Sequence, residues 1–324
     1  MRALCKIFIA LLGSFVLYAA TFGLLLHRPI TLDSISEWLE AKTDYAATLK
    51  SPRLLLFAGS NGLYSHSCGV LESELGIGCV SMSMPFGMGL DFLVQELDDI
   101  ARPGDVIYMP MEYQWYSGMR RDWLLTSYEA PELFYHDRHR LWSLGVDRFW
   151  YGLFSFDIAF AARSVTEMAA TLRPMNGDNK EIKLDKWGDF TGHTPERAER
   201  YRAAIATMSD PIPEPAALEK PSDGRNLLAQ FLESAHLRNI TVIGGLPTVF
   251  DDRPIPSSEI KFLETFYQTH QQYFLTLSNN SQYKRQDFFD SNYHLNSAAQ
   301  TAHSRTLASA LKENSAFIKA FGPR

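Results

Sequence analysis

The sequence predicts a three-layer α/β/α domain on a mostly parallel sheet, with an N-terminal transmembrane helix before it and a helical insertion within it. Three observations carry that reading. Short apolar runs alternate with helix-like stretches at both ends of the body, the pattern of parallel strands covered on both faces. Residues Ile7 to Leu26 form twenty consecutive positions without a charge. Residues 113 to 210 are aromatic-rich and helix-like, with no clear strand.

The uncharged run comes first. At about 1.5 Å per residue it spans roughly 30 Å, the thickness of a bilayer's hydrocarbon core. Arg2 and Lys6 precede it, and His27 and Arg28 follow it. Basic residues at the start favour a cytoplasmic N-terminus and an exported body. A cleaved signal peptide would have a shorter apolar region ending in small residues. Ala19-Ala20 imitates that ending, but the run continues through Leu24-Leu25-Leu26. A buried soluble helix would carry polar positions at period 3.6, and this run has none. The favoured reading is an uncleaved signal anchor over residues 1–30, holding a domain over 31–324 on the exported side of the membrane.

Composition bounds the rest. The 324 residues are 46% hydrophobic and 21% charged, ordinary for a globular chain. A mean hydropathy of −0.16 excludes a multi-span membrane protein. The first 28 residues carry three basic groups and no acid, so the remainder has 28 basic against 37 acidic residues, a balance of −9. That charge leaves no general electrostatic footprint for nucleic acid. Cys5 has no lipobox ahead of it. Cys68 and Cys79, eleven apart, are either a local disulfide or two small buried thiols.

The body reads in order as follows. Thr31–Lys50 is an amphipathic helix linking membrane to domain. Arg53–Ala58 is a strand, Leu63–Leu75 a helix, Cys79–Met84 a strand, Leu90–Ile100 a helix and Asp105–Met109 a strand. A helical insert follows at about 113–221, with Asp147–Leu172 among its helix-like stretches and a Pro-rich break at its end. The alternation resumes with helix Asn226–Leu237, strand Ile240–Gly244, and helices Lys261–Ser278 and Asn296–Glu313. Ligands in such sheets bind beyond the carboxyl ends of the strands.

Two strand-end segments carry chemistry. Gly59-Ser60-Asn61-Gly62 follows the first strand, where a serine at a helix start lies among free backbone N–H groups that can stabilise an oxyanion. The glycines are expected to let the backbone turn and let a substrate approach. An N-cap serine between glycines is the plainer reading of the same residues. Near the other end, Asp290 and His294 share a short loop before the last helix, which Asn296 is placed to cap. A serine nucleophile needs a base and an acid that orients the base. Ser60, His294 and Asp290 supply that set, with Asp287 in reserve.

GSNG after the first strand together with FFDSNYHLN before the last helix resembles the SGNH (GDSL-like) hydrolase superfamily, whose sheet is flavodoxin-like. More closely it resembles the membrane-anchored SGNH-like proteins of bacterial envelope-polymer acylation. The resemblance covers about 53–112 and 226–312. It implies Ser60 as nucleophile, His294 as base and Asp290 as orienting acid, although Asp290 precedes the histidine by four residues rather than the commoner three. It implies oxyanion donors from the Ser60 N–H and from Gly87, with Gly89 as alternative. The family's asparagine after a later strand has no counterpart: Met109-Pro-Met-Glu112-Tyr113 stands there, and Asn61 is the substitute donor. Glu112 and Tyr113 are candidates to contact substrate, with Glu112 alternatively an anchor of the site or a surface acid.

What the resemblance implies about function is O-acetyl transfer to a polysaccharide hydroxyl through an acyl-enzyme, with a membrane-bound O-acyltransferase as partner and no cofactor. An esterase or deacetylase using the same triad is the alternative, and a non-catalytic subunit of an envelope-polymer complex is the third reading. Trp115, Tyr113, Tyr116, Trp123 and Trp142 either line a sugar groove or fill a core. His136 and His139 are too few for a metal site, and His193 sits in a polar loop that also holds Gly188-Asp189. Arg120-Arg121 reads as a solvated basic pair.

Overall fold

The apolar run after residue 53 becomes strand β1 (Leu54–Leu56), with every side chain inaccessible to solvent. In the computed structural model, which describes residues 2–26, 33–121, 138–154 and 183–322, eight further strands follow. They are β2 (Cys79–Ser81), β3 (Val106–Met109), β4 (Lys183–Leu184), β5 (Phe190–Thr191), β6 (Thr241–Gly245), β7 (Val249–Phe250), β8 (Tyr273–Leu275) and β9 (Gln282–Tyr283). Four of these join β1 in one parallel sheet, in the order β2-β1-β3-β6-β8. Leu54 lies beside both Cys79 and Val106, so β1 is the strand from which the chain winds outward in both directions. The carboxyl ends of β1 and β3 therefore flank the crevice where such sheets hold ligands.

Alternate strand residues supply two cores. Leu54, Leu56, Val106, Tyr108 and Ile243 pack with Leu71, Leu307, Leu311 and Phe317 from helices Cys68–Leu75, Ser297–Glu313 and Ser315–Phe321. Leu55, Ile107 and Val242 are buried from the other side of the strands. Helices Leu90–Ile100 and Asp223–Leu237, which pack on each other, bury Leu93, Leu97, Leu228 and Leu232. At the amino ends of β1 and β3, Arg53 and Asp105 form a fully buried ion pair at 2.9 Å. Cys68 and Cys79 are joined in a disulfide with Cα atoms 5.1 Å apart, which decides between the two readings of that pair.

Several elements differ from expectation. The single helix expected over Leu63–Leu75 is two, Ser60–Ser65 and Cys68–Leu75, and a further helix, Ser315–Phe321, follows the one expected to be last. The helix expected over Lys261–Ser278 spans Ser257–Thr269 and stops at His270, because Gln271 turns left-handed at φ 58°. The aromatic and apolar residues after it pair with β6 as the fifth strand, and the Gln272 side chain accepts the Val242 N–H at 2.7 Å. Within the expected helical insert, β4 and β5 form an antiparallel hairpin. Its turn is held by Asp185 Oδ1, which accepts the N–H groups of Trp187 and Asp189. Strands of two residues show no readable period.

The described residues divide into two compact units. One comprises Trp38–Trp123 and Lys180–Arg324, and contains the sheet. It takes in both ends of the 113–221 segment. The other unit comprises Met1–Glu37 and Leu124–Asn179. Its helix Arg2–Leu26 includes one stretch, Ala3–Thr21, long and apolar enough to cross a membrane. Helices Arg138–Leu144 and Val146–Phe154 follow one another across Gly145, whose φ of 135° few other residues adopt. The rest of the expected 147–172 helix, with Trp123 and His136, lies outside the described residues.

Beside the first core, His66 and His303 meet Nε2 to Nε2 at 3.0 Å, and the Tyr283 hydroxyl lies 2.8 Å from His303 Nδ1. Burial pushes His303 down to about 3 and His66 well below its ordinary value. Both imidazoles are therefore neutral in the folded state, while the unfolded chain protonates them below about pH 6.5. Stability is fully present above that pH and is withdrawn as pH falls toward the folded values. The expected outcome is a urea midpoint that drops between about pH 7 and about pH 5, with His303→Gln reducing the pH slope by about 1.4 kcal/mol per pH unit. Equal slopes for wild type and variant would sink the idea.

Candidate active site

The sheet delivers Ser60 to the carboxyl end of β1 as the first residue of the short helix Ser60–Ser65. The turn before it is held by a buried acid. Glu112, three residues after β3, is 1% exposed, and its carboxylate accepts the N–H groups of Gly59 at 2.9 Å and Asn61 at 2.8 Å. The indole N–H of Trp115 donates to the same group at 2.9 Å. Burial raises the Glu112 carboxyl above its ordinary value, and the three N–H donors pull it back toward ionisation.

Both glycines of the GSNG turn follow from close approach inside the protein, not from a substrate. A Cβ on Gly59 would come within 2.5 Å of Glu112 Oε1, and one on Gly62 would collide with the Ser83 hydroxyl. With the flanking N–H groups of Gly59 and Asn61 both taken, that of Ser60 between them makes no hydrogen bond among the described residues. It is the free donor that an oxyanion site requires.

The other half of the site is the loop 287–296. Asn296 N donates to Asp287 O, and Phe289 N donates to His294 O at 2.7 Å, so the loop is pinched twice. The pinch turns Asp290 and His294 to one side. The loop is then clasped to the Ser60 helix: Ser65 Oγ donates to Tyr293 O at 2.7 Å and accepts Leu295 N at 3.1 Å. As expected, Asn296 caps the helix Ser297–Glu313 through Ala299 N.

These two halves bring the three expected residues together. Asp290 Oδ1 lies 2.7 Å from His294 Nδ1, and His294 Nε2 lies 2.8 Å from Ser60 Oγ. An acceptor at Nδ1 assigns the proton there, leaving Nε2 to accept from the serine hydroxyl. A serine nucleophile, its base and an acid orienting that base would require such an arrangement. Asp290 and His294 are partly exposed, so the triad is open to solvent on one side.

Several expected roles are corrected. Asn61 is fully buried: its N–H goes to Glu112, its Nδ2 to Pro110 O, and its Oδ1 accepts from Thr248. It clasps three segments and has no free donor for an oxyanion. Glu112 and Tyr113 are inaccessible and cannot touch substrate; of the alternatives for Glu112, the anchor holds. Asp287 contacts neither triad partner and lines a cavity of about 670 Å³ whose lining includes neither Ser60 nor His294. Trp115 and Tyr116 are core residues, whereas Trp142 is exposed. Arg120 reaches Asp91 at 3.8 Å, so that residue is not simply solvated. Gly87 lies in the 3₁₀ turn Phe86–Met88 after β2, and Gly89 behind it has φ 85°.

Sequence reasoning missed Tyr64. Its ring stacks on His294 with centroids 4.0 Å apart and planes 9° from parallel. One turn after Ser60 in the same helix, it had the i+4 spacing that could have flagged it. The phenol face holds the imidazole flat against it. His193 lies on Tyr64 with centroids 5.3 Å apart, and burial pushes it down to about 4, so it adds no cation there. Among the described residues no group of side chains fits a metal ion. Compared with known proteins, the chain matches no family model and no curated protein.

Two outcomes test this geometry. Glu112→Gln sets an amide NH₂ against a backbone or indole N–H, so the Ser60 turn moves and labelling of Ser60 by a fluorophosphonate slows about 100-fold. The melting temperature measured alongside shows whether the fold survives. Tyr64→Leu is expected to slow the same labelling by roughly 3- to 30-fold, and Tyr64→Phe to restore it. An unchanged rate for Tyr64→Leu would leave the stack without a role.

Proposed function

We propose that the protein is a membrane-anchored, extracytoplasmic serine acyltransferase that moves an acetyl group onto a polysaccharide hydroxyl. The observation that carries this reading is the Ser60–His294–Asp290 hydrogen-bond chain at the carboxyl end of a parallel sheet. Ser60 Oγ attacks the donor's carbonyl carbon while His294 takes its proton, and the Ser60 N–H meets the oxyanion. The leaving group departs with the proton held by His294. A sugar hydroxyl then gives its proton to His294 and bonds to the acyl carbon, and His294 returns that proton to Ser60 Oγ as the acyl–serine bond breaks.

Support for the location comes from Arg2 and Lys6 ahead of the apolar helix and from the Cys68–Cys79 disulfide, which suits an oxidising compartment. The resemblance to envelope-polymer acylation proteins supports a saccharide as acceptor and a membrane-bound O-acyltransferase as donor-side partner. The geometry serves water as readily as a sugar hydroxyl, so an esterase is the alternative that the experiment must separate. A non-catalytic subunit has less support, because the strand-end acid in place of the asparagine is an anchor of the serine turn.

The test uses the full chain in detergent or nanodiscs. With p-nitrophenyl acetate, wild type forms an acetyl-enzyme visible by intact mass, and Ser60→Ala or His294→Ala lowers turnover by at least about 10³-fold. Acetylated oligosaccharide, detected by mass spectrometry when acceptors are added, supports transfer. Acetate as the sole product across an acceptor panel points to the esterase. Turnover unaffected by either substitution rejects the triad.

A further inference from the structure

The cavity that Asp287 lines plays no part in the triad. It lies within the unit that carries the sheet and measures about 670 Å³, inside the range of small-molecule sites. The first turns of helix Ser297–Glu313 line it with Ala298, Ala299 and Ala302, whose short side chains leave the space open. Gln286, Asp287 and Asn296 line it from the stem of the loop that carries Asp290 and His294, and Glu199 and Arg202 from the segment after the β4–β5 hairpin. Tyr283 adds an aromatic ring.

The stem bounds how far the cavity lies from the chemistry. Asn296 N donates to Asp287 O at 2.8 Å and Phe289 N to His294 O at 2.7 Å, with Phe288 and Leu295 bridged between them. Phe288 and Leu295 are buried together with Phe250, so stem and tip form a single packed ribbon. Asp287 is three residues from Asp290 and Asn296 two from His294, so their Cα atoms are at most roughly 11 Å and 7 Å apart. A chain of linked sugar rings is long enough to cover that distance.

The polar groups of the lining are held in place but not all used. Arg202 Nε donates to Glu199 Oε1 at 3.0 Å, and the Tyr283 hydroxyl lies 2.8 Å from His303 Nδ1. The Asp287 carboxylate and the Gln286 carboxamide make no hydrogen bond or ion pair among the described residues. Burial raises the Tyr283 phenol above its ordinary value and the Asp287 carboxylate adds to the rise, so ring and acid are near neighbours. A carboxylate only accepts, a carboxamide donates and accepts, and a guanidinium only donates. That mixture suits a ligand whose hydroxyls do both, which is the chemistry of a sugar. Two acids against one base leave the lining with surplus negative charge, which disfavours an anionic polymer.

We propose that this cavity is a saccharide subsite, holding an uncharged stretch of the acceptor polymer beside the triad. Its ligand class follows from the lining; its role as acceptor subsite rests on the acyl-transfer reading.

The experiment uses the full chain in nanodiscs, since a maltoside detergent would itself offer sugar. Binding of cellohexaose, laminarihexaose and mannohexaose, with hexagalacturonate as the anionic comparator, is measured by titration calorimetry and saturation-transfer NMR. Wild type and Ser60→Ala are expected to bind at least one neutral hexasaccharide with equal affinity. Asp287→Ala is expected to weaken that binding by at least about 10-fold and Gln286→Ala by about 3-fold, with melting temperatures as in wild type. No binding at millimolar concentration, binding indifferent to Asp287→Ala, or tighter binding of hexagalacturonate each overturns the subsite. Acetyl-enzyme formation from p-nitrophenyl acetate, read by intact mass on the same wild-type sample, keeps the two readings apart. Acetyl-enzyme without saccharide binding overturns the subsite alone. Saccharide binding that Asp287→Ala removes, with no acetyl-enzyme, overturns the acyl-transfer reading and leaves the ligand assignment standing.

Discussion

A buried carboxylate sets the geometry on which the site depends. Glu112 lies where β3 ends, and its two oxygens reach across to the turn where β1 ends. Removing a carboxyl from water is costly unless donors replace the water. The replacements here are two backbone N–H groups on either side of Ser60 and one indole. Each consequence follows from that arrangement: residue 59 must lack a Cβ, the N–H groups on either side of Ser60 are spent, and that of Ser60 itself is left. An asparagine at the same strand end would bring donors to N–H groups that are themselves donors. The acid there is required by the turn it holds.

The second constraint is that the two ends of the sheet unit must meet within hydrogen-bond reach across 234 residues of sequence. The strand order achieves the coarse placement, and a small polar network the fine one. Asn61 ties the Ser60 helix to Pro110 after β3 and to Thr248 after β6. Ser65 ties the same helix to the backbone on both sides of His294. The base is thus located by its neighbours' main chain and not by its own long-range contacts. Tyr64, between those two ties, then supplies a flat surface against which the imidazole lies.

What could be read from the sequence follows from what is local. Ser60, Asp290, His294 and the Asn296 cap were legible because each sits next to its own marker, a glycine turn or a helix start. The four-residue spacing from Asp290 to His294 works because Phe289 N→His294 O closes the loop between them, a bond the side chains do not announce. Asn61 was misread for the opposite reason: its residue type suits an oxyanion donor, but three tertiary partners consume it. Glu112 carries the same lesson, since nothing in Met-Pro-Met-Glu-Tyr distinguishes an exposed acid from one buried against a neighbouring turn. The β8 strand hid in a helical pattern until Gln271 broke it.

The hairpin loop 185–193 shows how far the positioning extends. Lys42 Nζ donates to Ser81 O, Ser83 O and, on this loop, Gly188 O, at 2.7 to 2.9 Å, and so spends all three ammonium protons. Burial pushes that ammonium down to about 7, while the nearby Asp189 and Asp185 carboxylates oppose the shift. Asp189 Oδ2 accepts Ser67 Oγ and Gly69 N, at the start of the helix that follows the Ser60 helix. Four residues on, His193 O accepts Ser297 N, at the start of the helix that follows His294. One loop is therefore fastened to the segment after the nucleophile and to the segment after the base. A displacement of the loop acts on both halves of the triad at once. Three fixed carbonyl acceptors around one buried amine resist that displacement, because moving the loop leaves buried polar groups without partners.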